Sequence, residues 1–225
     1  MKKLSRFLQT TEGKFLGSIV IIIGLLFGYY FYATETTPNG GGTATSTENV
    51  TISTTDHVRG AKQGKVTLVE FGDFQCPACG AYEPIVRQVL ADNKDSLTVV
   101  FRHFPLYQLH RNALLAAKAS EAAAVQGKFW EMHDILYDKQ EEWGEALNAR
   151  DFITSYATTI GLDTVKFSKD IDTQAIEDKI LAEYKEGTNL GIQGTPTFFL
   201  NGKKVDPNPR DLASFNKMIK DAIAK

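Results

Sequence analysis

Apolar and polar positions change period several times between residues 62 and 225, and each change marks an element. Val66–Gly72 is a short apolar run that predicts a buried strand. Tyr82, Ile85, Val86, Val89 and Leu90 then recur at helical spacing and predict a helix over Pro77–Asn93. Leu97–Phe104 reads as a second strand. An Ala-rich helix over Asn112–Gln126 follows, then one over Phe129–Gln140 with Phe129, Met132, Ile135 and Leu136 on one face. Ala149–Ile160 and the short Thr164–Asp170 add two more helices. Gln174–Asn189 is long and amphipathic through Ile176, Ile180, Leu181 and Tyr184. Strand Thr197–Leu200, the turn Asn201-Gly202, strand Lys203–Val205 and a closing helix from Asp211 complete the pattern.

The candidate chemistry sits where the first strand meets the first helix. Phe74-Gln75-Cys76-Pro77-Ala78-Cys79-Gly80 holds both cysteines of the 225-residue chain, spaced to close a disulfide across the first helical turn. A sulfur placed there gains from the amide groups at the helix N-terminus. Pro77 suits the first helical position, where its missing N–H costs nothing. The pair reads as a working redox centre. Zinc fits poorly, because a second ligand pair is missing and His57, His103, His110 and His133 are scattered, so no metal is expected. A purely structural disulfide would close too tight a loop to restrict the unfolded chain much.

The N-terminal pattern places this chemistry. Phe15–Ala33 is a run of 19 residues without a charge, which at about 1.5 Å per residue matches the roughly 30 Å hydrocarbon core of a bilayer. Lys2, Lys3, Arg6 and Lys14 precede it, and the next Lys or Arg is Arg59. The positive-inside rule then leaves residues 1–14 in the cytoplasm, makes 15–33 a transmembrane anchor and exports the rest. Tyr29, Tyr30 and Tyr32 would form an interfacial belt at its outer end. The alternative is a cleaved signal peptide, giving a secreted or periplasmic protein. The apolar run is long for one, and aromatic residues stand where a cleavage site needs small ones. Residues 34–61 read as linker and entry segment, Thr-rich with Gly40-Gly41-Gly42. A net charge of −2 gives no footprint for nucleic acid.

Three separated segments resemble the DsbA-like thiol–disulfide oxidoreductases over roughly residues 62–224: Val69-Glu70-Phe71-Gly72-Asp73-Phe74-Gln75-Cys76-Pro77-Ala78-Cys79, Phe101-Arg102-His103-Phe104-Pro105-Leu106, and Gly191-Ile192-Gln193-Gly194-Thr195-Pro196-Thr197-Phe198-Phe199-Leu200-Asn201-Gly202. The resemblance implies an α/β thioredoxin fold over 62–225 with a helical subdomain inserted at about 107–173. Cys76 is then the attacking sulfur and Cys79 the resolving one, alternating between dithiol and a Cys76–Cys79 disulfide. Glu70 matches the buried acid that exchanges a proton with Cys79; the plainer reading is a strand-end Glu reaching solvent. Thr195 and Pro196 match the segment, with a cis proline, that faces the cysteine pair and receives an extended substrate. Asp73 reads as a helix-entry residue, His103 as a packed histidine, His110 as an aid to helix entry, and Trp130 and Trp143 as core or groove.

Pro77 and Ala78 tune the pair. The best-known oxidases of the family have Pro-His there, and Ala78 removes a possible cation that would stabilise the thiolate. The resemblance implies no cofactor, exported clients with free cysteines, a membrane-embedded quinone-linked redox partner and a monomeric catalytic domain. It leaves open a membrane-anchored reductase or isomerase of the same fold and, further off, a catalytically idle chaperone or binding module.

Overall fold

The computed structural model describes residues 50–225, so the anchor predicted at 15–33 lies outside the described residues. In chain order the elements are β1 (His57–Gly60), β2 (Val66–Gly72), α1 (Pro77–Asp92), β3 (Leu97–His103), α2 (Ala113–Ala124), α3 (Phe129–Asp138), α4 (Gln140–Trp143), α5 (Ala149–Thr159), α6 (Thr164–Asp170), α7 (Gln174–Asn189), β4 (Thr197–Leu200), β5 (Lys203–Lys204) and α8 (Leu212–Ile223). The five strands form one sheet in the order β1-β3-β2-β4-β5. The central pair β2 and β3 is parallel, from Val66 opposite Leu97 to Gly72 opposite His103. A parallel pair needs a crossover, and α1 supplies it. β1 runs antiparallel to β3, β4 antiparallel to β2, and β5 antiparallel to β4. Among the described residues no helix is long and apolar enough to cross a membrane.

Burial explains why these segments became these elements. Every residue of β3 is buried, and in β2 only Thr67 is not. Leu68 and Val66 pack with Val86, Val89, Phe198, Phe215 and Ile219 under α1 and α8. Val69 and Phe71 fill the opposite face with Val100, Phe104 and Phe199. Each such side chain contributes about 1.5–3 kcal/mol of transfer free energy. The five helices α2–α6 share a third cluster, in which Ala116, Ala119, Ala122 and Ala123 of α2 permit close approach to Met132, Leu136, Trp143 and Ile153. Cys76 and Cys79 belong to that third cluster.

Two buried polar clasps join the layers. Arg102, on β3, donates to both carboxylate oxygens of Asp56 at 2.9 and 2.8 Å, to Glu186 at 2.7 Å and to the Thr51 carbonyl at 2.6 Å. Glu121 of α2 receives His57 at 2.7 Å, His103 at 2.8 Å and Lys179 at 2.5 Å on one oxygen. Strands β1 and β3 and helices α2 and α7 thus meet at one carboxylate. His103 is a packed histidine, as its sequence context predicts.

Three elements differ from expectation. β1 has no apolar period to announce it: it is four residues at the sheet edge, and Arg59 covers it by stacking on Trp130 at 4.3 Å. The helix predicted over 129–140 ends at Asp138, and Gln140 opens a separate turn of helix with its side chain directed at the cysteine segment. The strand predicted over 203–205 is two residues long. Asn201 and Gly202 form the predicted turn, both at positive φ, 49° and 80°, a conformation open to Asn and Gly at little cost.

Candidate active site

Cys76 is the N-cap of α1, in extended conformation, and Pro77 follows as the first helical residue. Its N–H donates to the Asp73 carbonyl and its carbonyl receives the Gly80 N–H, both at 3.1 Å. Cys76 leaves 7% of its surface exposed and Cys79, one turn on, none. Residue 195 lies against the helix end and covers it: the Cys76 thiol donates to the Thr195 carbonyl at 3.4 Å. Both sulfurs are thiols in this structure.

The two thiols are driven apart electrostatically. The Cys79 thiol, the Thr195 hydroxyl and the amides of Cys79 and Ala78 stabilise a Cys76 thiolate against burial, and its pKa is lowered to about 5. Burial, the neighbouring Cys76 and the charge of Glu70 push Cys79 well above the ordinary thiol value. The Thr195 hydroxyl is buried without a partner in the dithiol form. It becomes a donor once Cys76 ionises.

Glu70 lies on the central strand, paired with Phe101 on one side and Phe198 on the other, and 3% of it is exposed. A strand-end Glu reaching solvent is therefore not what β2 presents. Burial and the negative charge of Glu83 hold its carboxyl well above the usual range, with Arg59 opposing. Thr195 and Pro196 close the opposite side of the pair, and the Thr195–Pro196 peptide is cis. The Asn208 side chain donates to the Pro196 carbonyl at 2.9 Å and holds that segment.

Several residues that shape the site gave no sequence signal of that role. Asp73 serves helix entry, as expected, but by knotting the turn before α1, whose N-cap is Cys76. Its carboxylate accepts from the Gln75 N–H at 2.8 Å, the Leu106 N–H at 2.9 Å and His110 Nδ1 at 2.7 Å. His110 serves Asp73 with its ring and the entry of α2 with its carbonyl, which accepts the Ala113 N–H at 3.2 Å. Gln140 donates to the carbonyls of Phe74 at 2.7 Å and Cys76 at 3.0 Å, and a Cβ on Gly80 would come within 2.7 Å of its amide oxygen. Trp143 is fully buried, its N–H on the Leu136 carbonyl at 2.8 Å.

Among the described residues Glu83, His133 and Asp134 bring potential metal-ligand atoms within 4.8 Å of one another. Arg59 and Arg87 already pair with both carboxylates, Arg87 at 2.7 Å from Glu83 and Arg59 at 2.9 Å from Asp134. The cluster carries its own cations and works as an ion-pair network.

The family model described as Thioredoxin matches residues 52–221. The chain is 39% identical over 169 residues to Na(+)/H(+) antiporter NhaA 3 of Salinispora tropica, covering 75% of this chain and 25% of that protein. It spans about a quarter of that relative's length, and the transport named there is the relative's. A thioredoxin-like oxidoreductase from Silicibacter pomeroyi superposes with a TM-score of 0.62 at 27% identity, over 75% of this chain and 90% of that one. The thiol-disulfide exchange protein alpha-DsbA2 from Wolbachia pipientis gives 0.64 at 25% identity, over 75% and 87%. A paired thiol site on a helix N-terminus, faced by Thr195-Pro196 and carried on a sheet with helices inserted after β3, accords with both likenesses: the chain belongs to the thioredoxin family, among its DsbA-like thiol–disulfide oxidoreductases.

Proposed function

We propose that this chain is an extracytoplasmic dithiol oxidase that donates the Cys76–Cys79 disulfide to exported proteins. The observation that carries the reading is the opposed environment of the two sulfurs, with Cys76 lowered to about 5 and Cys79 raised. A thiolate stabilised in the reduced enzyme makes reduction favourable, so the oxidised form is a disulfide donor. A client thiolate attacks Cys76 Sγ, the Cys76–Cys79 bond breaks, and the electron pair departs on Cys79, which takes up a proton. A second client thiolate attacks the client sulfur of the mixed disulfide, and Cys76 leaves as the thiolate. The client gains a disulfide and the enzyme two electrons.

Glu70 is the proton source for Cys79 in this reading, because a buried neutral carboxyl can give its proton where the resolving thiolate is costly. Thr195 and Pro196 receive the client segment beside Cys76, and no organic cofactor or metal takes part. Reoxidation falls to a membrane-embedded quinone-linked partner, and residues 15–33 anchor the monomeric catalytic domain within its reach. The reductase alternative has one feature in its favour: Ala78 supplies no cation to the thiolate.

The deciding experiment combines thiol trapping in rapidly quenched cells with equilibration in glutathione buffers. The oxidase reading expects a mostly oxidised pair with a potential between about −270 mV and about −120 mV. A pair found reduced, at or below the lower value, makes the protein a reductase. Failure to reduce or oxidise any model dithiol leaves only a binding module.

A further inference from the structure

Residues 193–196 carry Thr195 to Cys76 yet stand outside the sheet, since β4 begins at Thr197. Among the described residues they make no backbone–backbone hydrogen bond. Three bonds from side chains remain. Thr197 Oγ1 donates to the Gly194 carbonyl at 2.8 Å, which closes the bend on itself. The Cys76 thiol donates to the Thr195 carbonyl at 3.4 Å, and Asn208 Nδ2 donates to the Pro196 carbonyl at 2.9 Å. Only these last two tie the segment to other parts of the chain.

The bond from the thiol is conditional. A Cys76–Cys79 disulfide and a mixed disulfide both lack the hydrogen that the Thr195 carbonyl accepts. In those states the Asn208 bond alone ties the backbone of the segment to the rest of the fold. It crosses a cleft of about 320 Å³, with Gln193, Gly194 and Thr197 on one wall and residues 204–208 on the other. Pro196 has no N–H, so its carbonyl is the one backbone group by which it can be gripped. Asn208 itself stands between Pro207 and Pro209. Pro207 has a fixed φ and Pro209 disfavours the helical region for Asn208, so the loop presents the amide with little freedom to lose.

We propose that Asn208 is a positioning residue for the client: it holds Thr195 and Pro196 in place while Cys76 is oxidised, the state that a client thiolate attacks. The proposal rests on the reading that Thr195 and Pro196 receive the client. Asn208 bonds to neither sulfur. It therefore acts on where the client lies, and not on how readily the disulfide breaks. A polypeptide that must lie along the segment needs this bond. A reductant as small as dithiothreitol reaches Cys76 without it.

The test compares two reductants of the oxidised, full-length protein. Second-order rates are measured with a synthetic peptide carrying two cysteines and with dithiothreitol, for the wild type, Asn208→Ala, Asn208→Asp and Pro196→Ala. Loss of one positioning hydrogen bond should slow the peptide at least about threefold in Asn208→Ala and leave dithiothreitol within about twofold of wild type. Asn208→Asp keeps the size of the side chain but replaces the donor with an acceptor, and the same selective loss is expected. Equal slowing of both reductants in the Asn208 variants overturns the proposal, because Asn208 then acts on the sulfurs or on the fold. If Pro196→Ala is selectively slow with the peptide while both Asn208 variants react at the wild-type rate, the positioning role alone fails. If Pro196→Ala slows both reductants equally, the segment does not receive the client, and the proposal fails with that reading.

Discussion

The sulfur of Cys76 lies 3.4 Å from the carbonyl oxygen of Thr195, a residue 119 positions further along the chain, and the same threonine holds its hydroxyl buried and unpaired. The thiol gives its hydrogen to the carbonyl. The thiolate, once formed, receives the hydroxyl instead. Thr195→Val keeps the shape and removes that donor. A hydrogen bond to a charged group is worth about 1.5–3 kcal/mol, so the Cys76 pKa is expected to rise from about 5 by at least about one pH unit. The rate of iodoacetamide labelling against pH reads it directly. The potential should fall with it, and an unmoved midpoint would remove Thr195 from the thiolate's environment.

The same thiolate makes stability depend on pH in the reduced protein only. The folded Cys76 is depressed from 9.0 to about 5. A group lowered on folding contributes stability that is full above the unfolded value and is lost as pH falls through the folded one. Reduced wild type should therefore gain on Cys76→Ser between pH 5 and pH 9, by at most about 1.4 kcal/mol per pH unit. Urea midpoints at several pH values test this. Parallel curves for the two proteins would mean that Cys76 is not a stabilised thiolate.

Unequal sulfurs should behave unequally in exchange. Reduced protein is expected to alkylate at Cys76 long before Cys79, which has no exposed surface. Cys76→Ser should abolish turnover, and Cys79→Ala should accumulate client mixed disulfides visible on non-reducing gels, since the resolving attack is lost. Mass spectrometry after brief labelling settles the order, and earlier modification of Cys79 would reverse the roles.

Glu121 is the most exposed to failure of the structural carboxylates. Three donors, His57, His103 and Lys179, converge on one of its oxygens, and their bonds hold its carboxyl far below the usual range. Glu121→Ala leaves them facing a cavity, and breaking such a buried pair costs about 3–5 kcal/mol. Denaturant unfolding at pH 7 should show that loss, with Glu121→Gln in between. A change below about 1 kcal/mol, the worth of an exposed ion pair, would show that the cluster is solvated.

Local pattern carried the sequence reading far. Period and turn chemistry reached β2, β3, β4 and most helices, because their apolar faces repeat over seven residues or more or end in an Asn-Gly turn. β1 escaped because an edge strand of four residues needs no apolar stripe. Cys76, Cys79, Glu70 and Thr195-Pro196 stood out because each breaks its own local pattern. Gln140 and Asn208 do not: each is an ordinary residue in its own segment and acts on a partner 12 or more positions away. Only the folded chain brings those ends together.

Gln140 has a consequence for anyone who would trim this protein. Its amide grips the Phe74 and Cys76 carbonyls, and it belongs to one of the helices that a shortened thioredoxin core would discard. Excising residues 107–173 as an accessory module would leave the strands and α1 in place yet free those two carbonyls and unpack Gly80. The backbone of the reactive turn is braced by the segment that looks most dispensable, so grafting this cysteine motif onto a smaller scaffold should transfer the sulfurs without that brace.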